Sequence, residues 1–331
     1  MKPGLKNITQ DSLRLLLRPP VAADVIREDL YSSSSLMEDI QNAANSKERM
    51  THREIFNILI KYFHAYIHPR SITCRPTLKD ISASFNAFIH RRVGSQVLWG
   101  QNKLRKLLLK YGFALAMLAD LPKSAHIFRQ IVSLEIDPED FEGRFVGVDI
   151  GAGTGILMLA QWISASRNNF ELIEITGIER DPATHQRTAL IAEKLNLGKM
   201  INSEAKSVQT YLFLKNRPVT FISNETLPGA SARLWKEDFI QINKTLFDNF
   251  GHLLQKTFFF PGRVLASDST GKYSTILSRE NCFYNVNGPP LHLMFPKAIE
   301  LDGKLCPLTE IGRDMAGCLN KPWFDILSRR W

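Results

Sequence analysis

The sequence predicts an α/β fold, an open sheet preceded by a helical N-terminal domain (residues 1–140) and followed by a short β-rich C-terminal appendage (270–331). Three observations carry this expectation. The apolar run Phe145-Val146-Gly147-Val148-Asp149-Ile150 leads into Gly151-Ala152-Gly153-Thr154-Gly155 and then into Ile156 to Trp162, which reads as strand, tight turn and helix. From Phe145 onward, short apolar runs alternate with amphipathic ones, the pattern of βα units. Ahead of that point the apolar spacing is helical, with no strand-turn-strand signal. The sheet-bearing core is therefore placed at 141–269.

Each element follows from local pattern. Ser12 to Arg18 is a short amphipathic piece closed by Pro19-Pro20, and Ser32 to Ser35 form a small-polar break. Asp39 to Arg49 read as polar and exposed. Ile55 to Phe63 form a strongly apolar helix stopped at His68-Pro69. Leu78 to His90 place Ile81, Phe85, Phe88 and Ile89 on one helical face. Gln101 to Leu121 read as a longer helix with a basic first half (Lys103, Arg105, Lys106, Lys110), ended by Pro122.

Within the core, Glu174 to Ile178 is the second strand and Thr184 to Leu195 the second helix, with Leu190, Ile191 and Leu195 apolar. Lys199 to Glu204 is the third strand with its exit, and Val219 to Ser223 the fourth. Trp235 to Phe250 read as a further helix. Phe258-Phe259-Phe260 reads as strand core, and the chain beyond it as short extended runs among Gly and Pro.

Composition sets outer bounds. The chain has 331 residues and is 44% hydrophobic, enough for a substantial core and for more than one domain. No apolar run reaches about 18 residues, so no membrane span is expected. Met1 to Asn7 lack a signal-type apolar stretch, which makes a cytoplasmic location the expectation. Cys74, Cys282, Cys306 and Cys318 lack metal-ligand spacing, in keeping with a reducing compartment and with no metal site. The formal charge of +9 permits an anionic partner such as nucleic acid without requiring one, because the basic residues are spread along the chain.

The glycine spacing bears on the ligand. A dinucleotide turn, G-x-G-x-x-G, needs its third glycine where Ile156 stands, and a phosphate-binding P-loop needs a Lys-Ser/Thr pair that does not follow. Asp149, two residues before Gly151, would repel a pyrophosphate. A nucleoside carrying an ammonium, a sulfonium and a ribose diol suits this edge. The glycines admit close backbone approach, Asp149 can sit near the ammonium, and Glu179 can accept from both ribose hydroxyls.

This D-x-G-x-G-x-G run with its distal acid resembles the cofactor site of class I S-adenosylmethionine-dependent methyltransferases. The resemblance implies a Rossmann-like sheet and S-adenosyl-L-methionine as cofactor. It implies contacts from Asp149, Gly151, Gly153, Gly155 and Glu179, with Glu204 after the third strand near the adenine amino group.

At the end of the fourth strand, nucleic-acid base methyltransferases carry Asn/Asp-Pro-Pro-Tyr/Phe to hold a flipped base. This chain has Asn224-Glu225-Thr226-Leu227-Pro228, which lacks the aromatic. The segment instead resembles the double-glutamate hairpin of protein arginine methyltransferases. Asn224 stands in place of that family's serine, while Glu225, Gly229 and Glu237 match its first glutamate, glycine and second glutamate across a longer loop. In Pro289-Pro290-Leu291-His292-Leu293, His292 takes the place of the histidine in the family's Thr-His-Trp loop, with both neighbours changed. The C-terminal region is too small for that family's full β-barrel and dimerisation arm, so the resemblance covers Phe145 to Ser269.

A guanidinium stays protonated up to a pKa above about 12, its charge spread over its nitrogens. Two glutamates can bind its other N–H groups in fork-like geometry, draw the charge away from the attacking nitrogen and take up the released proton. The expected activity is N-methylation of a guanidino or amino nitrogen, in a protein arginine or in a free arginine-like metabolite. Two alternatives stand beside it. One is small-molecule O-methylation with His292 or Glu225 as base; the other is an RNA-binding, methyltransferase-like protein.

Overall fold

The computed structural model describes residues 28–94, 114–115, 118–119, 121–198, 201–204, 217–224, 242, 246, 248–260, 263–267, 273–278, 296–301 and 304–307. Among the described residues the chain opens with α1 (Leu36–Asn45), α2 (His52–Ile67), α3 (Leu78–Gly94) and α4 (Leu121–Val132), and residues 114–115 and 118–119 are also helical. An α/β unit follows: β1 (Arg144–Ile150), α5 (Ile156–Arg167), β2 (Leu172–Ile178), α6 (Pro182–Lys194), β3 (Ile201–Glu204), β4 (Phe221–Asn224) and β5 (Phe258–Phe260). Residues 242, 246 and 248–250, between β4 and β5, are helical. These five strands form one sheet of order β3-β2-β1-β4-β5, in which every neighbouring pair is parallel. A second, antiparallel sheet of order β7-β6-β8-β9 contains β6 (Arg263–Ser267), β7 (Tyr273–Ser278), β8 (Pro296–Leu301) and β9 (Lys304–Pro307). The fold is α/β.

Parallel strands are covered on both faces, and β1 shows how. Val146, Val148 and Ile150 pack with Leu246, Phe250, Leu253 and Leu254 on one side. The alternate residues Phe145, Gly147 and Asp149 face α5 on the other, where Phe145 belongs to the larger core. Two strand glycines let α5 lie close to the sheet. A Cβ on Gly147 would come within 2.2 Å of Gln161 Oε1, and one on Gly177 within 2.4 Å of Met158 Sδ. Met158 and Gln161 are one turn apart on α5, so each side chain occupies the space a glycine leaves.

The larger core runs without a break from α1 through α5 to Phe260, so the N-terminal helices and the sheet share one interior. The first three helices start on reciprocal side-chain caps. Ser35 and Glu38 open α1, and Thr51 and Glu54 open α2; each pair satisfies two backbone donors. Thr77 and Asp80 do the same at α3, with Thr77 N donating to Asp80 Oδ2 at 2.9 Å and Asp80 N to Thr77 Oγ1 at 3.2 Å.

Two of these helices differ from the sequence expectation. The segment read as polar and exposed from Asp39 is helical to Asn45, because Ser35-x-x-Glu38 is a capping box and Leu36, Ile40, Ala43 and Ala44 share a buried face. Pro122, read as a helix end, stands in the first turn of α4, where its missing N–H and fixed φ cost nothing. Gln101 to Phe113 lie outside the described residues.

A buried ion pair joins α1 to α2. Lys61, its side chain wholly buried, donates to Asp39 Oδ2 at 2.6 Å, Ser34 Oγ at 2.9 Å and Ser32 Oγ at 3.0 Å. All three ammonium protons are used. Removing the anion would strand the cation, so Asp39→Ala is expected to destabilise the fold by about 3 kcal/mol. Lys61→Met should cost less, since the Asp39 side chain is 14% exposed and water can reach it. Urea unfolding of both variants compares the two.

His64 on α2 lies against Ser84 of α3, Nδ1 to Oγ 2.7 Å. Burial, reinforced by His68, lowers its pKa from 6.5 to about 4. The unfolded imidazole therefore takes up a proton below pH 6.5 that the folded one refuses until about pH 4. Stability is full above 6.5 and falls as the pH drops through that window. His64→Gln is expected to flatten the dependence of the urea midpoint between pH 7 and pH 5.

Candidate functional site

The sheet order reverses between β1 and β4, and at such a switch point the loops leave the carboxyl edge in opposite directions and open a crevice. The glycine-rich turn lies there. Gly151, Gly153 and Gly155 have φ of +74°, +51° and +78°, in the left-handed region that favours glycine. The turn is anchored at its start by Gly151 N and Ala152 N, which donate to Ile178 O at 2.9 and 3.1 Å. Gly155 N donates to Ala152 O at 2.7 Å and then serves as N-cap of α5.

Three side chains from three elements grip the peptide groups of Gly153 and Thr154. Glu179, just past β2, accepts from Gly153 N at 2.9 Å through Oε2 and from Asp181 N at 2.8 Å through Oε1. Thr188 of α6 donates to Gly153 O at 2.7 Å. Tyr62 of α2, deep in the helical layer, donates to Thr154 O at 2.6 Å. Burial first, then Tyr66 and Asp149, raise the Tyr62 pKa well above its ordinary value, so the phenol keeps its proton. Helical residue Ala114 completes the enclosure, 3.3 Å from where a Cβ on Gly153 would stand.

Asp149 is 1% exposed at the end of β1. Its neighbours across the sheet are Gly177 on β2 and Ser223 on β4. Ser223 Oγ donates to Asp149 Oδ1 at 2.6 Å, and Gln161 Nε2 donates to Ser223 Oγ at 2.7 Å.

The structure thus brings Asp149, Gly151, Gly153, Gly155 and Glu179 to one edge. Glu204 ends β3 in register with Ile178, the residue before Glu179, so its backbone reaches the same edge. Asn224 ends β4 beside Ile150. Glu225, Glu237 and His292 lie outside the described residues. Sequence reading missed Tyr62, Thr188, Gln161 and Ser223. Gln161 alone carried a local signal, as the polar residue in the apolar run Ile156 to Trp162; the partners of the other three are distant in the chain.

The residues present fit a cationic nucleoside. A carboxylate offers about four lone-pair positions, so Glu179 keeps acceptor capacity for a diol after taking two backbone N–H groups. Two acids flanking the turn oppose a polyphosphate. Among the described residues, no cluster of His, Cys, Asp and Glu could hold a metal ion, and no helix is long and apolar enough to cross a membrane. No protein-family model matches the chain, and no curated protein matches it significantly.

Proposed function

We propose that this chain is an S-adenosylmethionine-dependent N-methyltransferase with a class I, Rossmann-like core, acting on a guanidino or amino nitrogen. The observation that carries the reading is a glycine turn at the reversal of an all-parallel 3-2-1-4-5 sheet, flanked by Asp149 and Glu179. In this reading Asp149 faces the ammonium of the cofactor and Gly151, Gly153 and Gly155 admit it to the backbone. Glu179 takes the ribose hydroxyls and Glu204 approaches the adenine amino group. When bound, S-adenosyl-L-methionine supplies an electrophilic methyl group.

The rest is positioning and electrostatics by the protein. Glu225 is the residue next in sequence to Asn224, the last residue of β4, which pairs with Ile150 just before the turn. Together with Glu237 it would hold the acceptor guanidinium, leave one nitrogen directed at the methyl group and receive its proton. His292 is the remaining acid–base candidate. The acceptor is an arginine in a protein or an arginine-like metabolite.

Calorimetry with S-adenosylhomocysteine, NAD and ATP tests the ligand class. Binding of the first alone is expected; uptake of NAD or ATP at the turn instead would overturn the reading. Transfer of a labelled methyl group into separated protein and metabolite pools of a lysate then identifies the acceptor class. Steeply salt-dependent RNA binding without transfer would favour an RNA-binding role instead.

A further inference from the structure

The buried polar chain Gln161–Ser223–Asp149 has a direction. Gln161 Nε2 stands 2.7 Å from Ser223 Oγ and 3.4 Å from Val148 O. The opposite amide orientation would set Oε1 against that carbonyl, so the nitrogen faces both and donates. Ser223 thereby receives a hydrogen bond at its oxygen and has one proton to give, which goes to Asp149 Oδ1 at 2.6 Å. Gln161 and Ser223 are fully buried and Asp149 is 1% exposed, so water does not compete for these bonds. The chain exists because Gly147 has no side chain: a Cβ there would meet the Gln161 amide oxygen at 2.2 Å. Among the described residues, the charged group that this polar pair bonds to is Asp149.

We propose that Ser223 and Gln161 are positioning residues that orient the Asp149 carboxylate towards the ammonium of an amino-acid-bearing nucleoside. This rests on the cofactor reading above. It adds how that carboxylate is held: by a hydroxyl of β4 that is itself fixed by an amide of α5. Ser223 touches no ligand itself. Its effect is confined to ligands that carry the ammonium.

Two nucleosides separate this role from a purely structural one. S-adenosylhomocysteine has adenosine and the amino-acid tail, whereas 5′-methylthioadenosine has the adenosine and lacks the tail. With Ser223→Ala, affinity for S-adenosylhomocysteine is expected to fall roughly ten-fold, while that for 5′-methylthioadenosine stays within about two-fold. Gln161→Leu, which keeps the volume and removes the amide, should give the same selective loss to a smaller degree. Thr257→Val removes a buried hydroxyl bonded to Val219 O at 2.6 Å, away from the turn, and serves as the control for general destabilisation. It should change neither affinity. An equal loss for both nucleosides in Ser223→Ala and Gln161→Leu, or no loss for either, overturns the relay while the cofactor reading stands. If the native protein binds neither nucleoside, both fall together.

Discussion

Gly153→Val is expected to abolish nucleoside binding, lowering affinity for S-adenosylhomocysteine by at least about a hundred-fold. Two effects act together. Gly153 has φ of +51°, where a β-branched side chain is strained by about 1–3 kcal/mol. A Cβ there would stand 3.3 Å from that of Ala114, so the two γ-methyl groups of valine must displace Ala114 or turn the peptide. Turning it breaks the bonds from Gly153 N to Glu179 and from Thr188 to Gly153 O, and with them the carboxylate assigned to the ribose. Isothermal calorimetry together with a thermal midpoint checks the outcome. A folded variant with native affinity would show that no ligand approaches this peptide.

Glu225→Gln is expected to leave S-adenosylhomocysteine affinity within about two-fold and to lower kcat by roughly a thousand-fold. The substitution keeps the shape and one acceptor oxygen but removes the charge. A guanidinium would then keep its positive charge spread over all its nitrogens and lose its proton acceptor. Single-turnover methyl transfer compared with binding separates the two quantities. Equal activity in variant and native protein would remove Glu225 from the chemistry and leave the ligand turn as it is.

The sheet was legible because its signals are local. β1, β2 and β4 are short apolar runs, and the glycines after β1 mark a turn whose left-handed backbone favours glycine. The helical layer was legible where apolar spacing dominates, as in α2, and less so where ends decide. The helix from Leu36 is defined by a capping box, and α4 by a proline that begins it. At the carboxyl edge, Asp149 was legible because it stands two residues before the glycine turn, and Glu179 because it follows the second apolar run. What holds them was not. Tyr62 meets Thr154 across 92 residues and Ser223 meets Asp149 across 74, distances over which composition and periodicity carry no information.

The hydroxyl of Tyr62 has a consequence for how this molecule can be divided. Its bond to Thr154 O belongs to a single interior shared by the helices and the sheet, so α1 to α4 are part of the body that supports the glycine turn. A fragment beginning near residue 141 would leave that carbonyl without its donor and turn the packed side of α5 towards solvent. The two regions are therefore inseparable by truncation, and modularity ends at the hydrogen bond between Tyr62 and the turn.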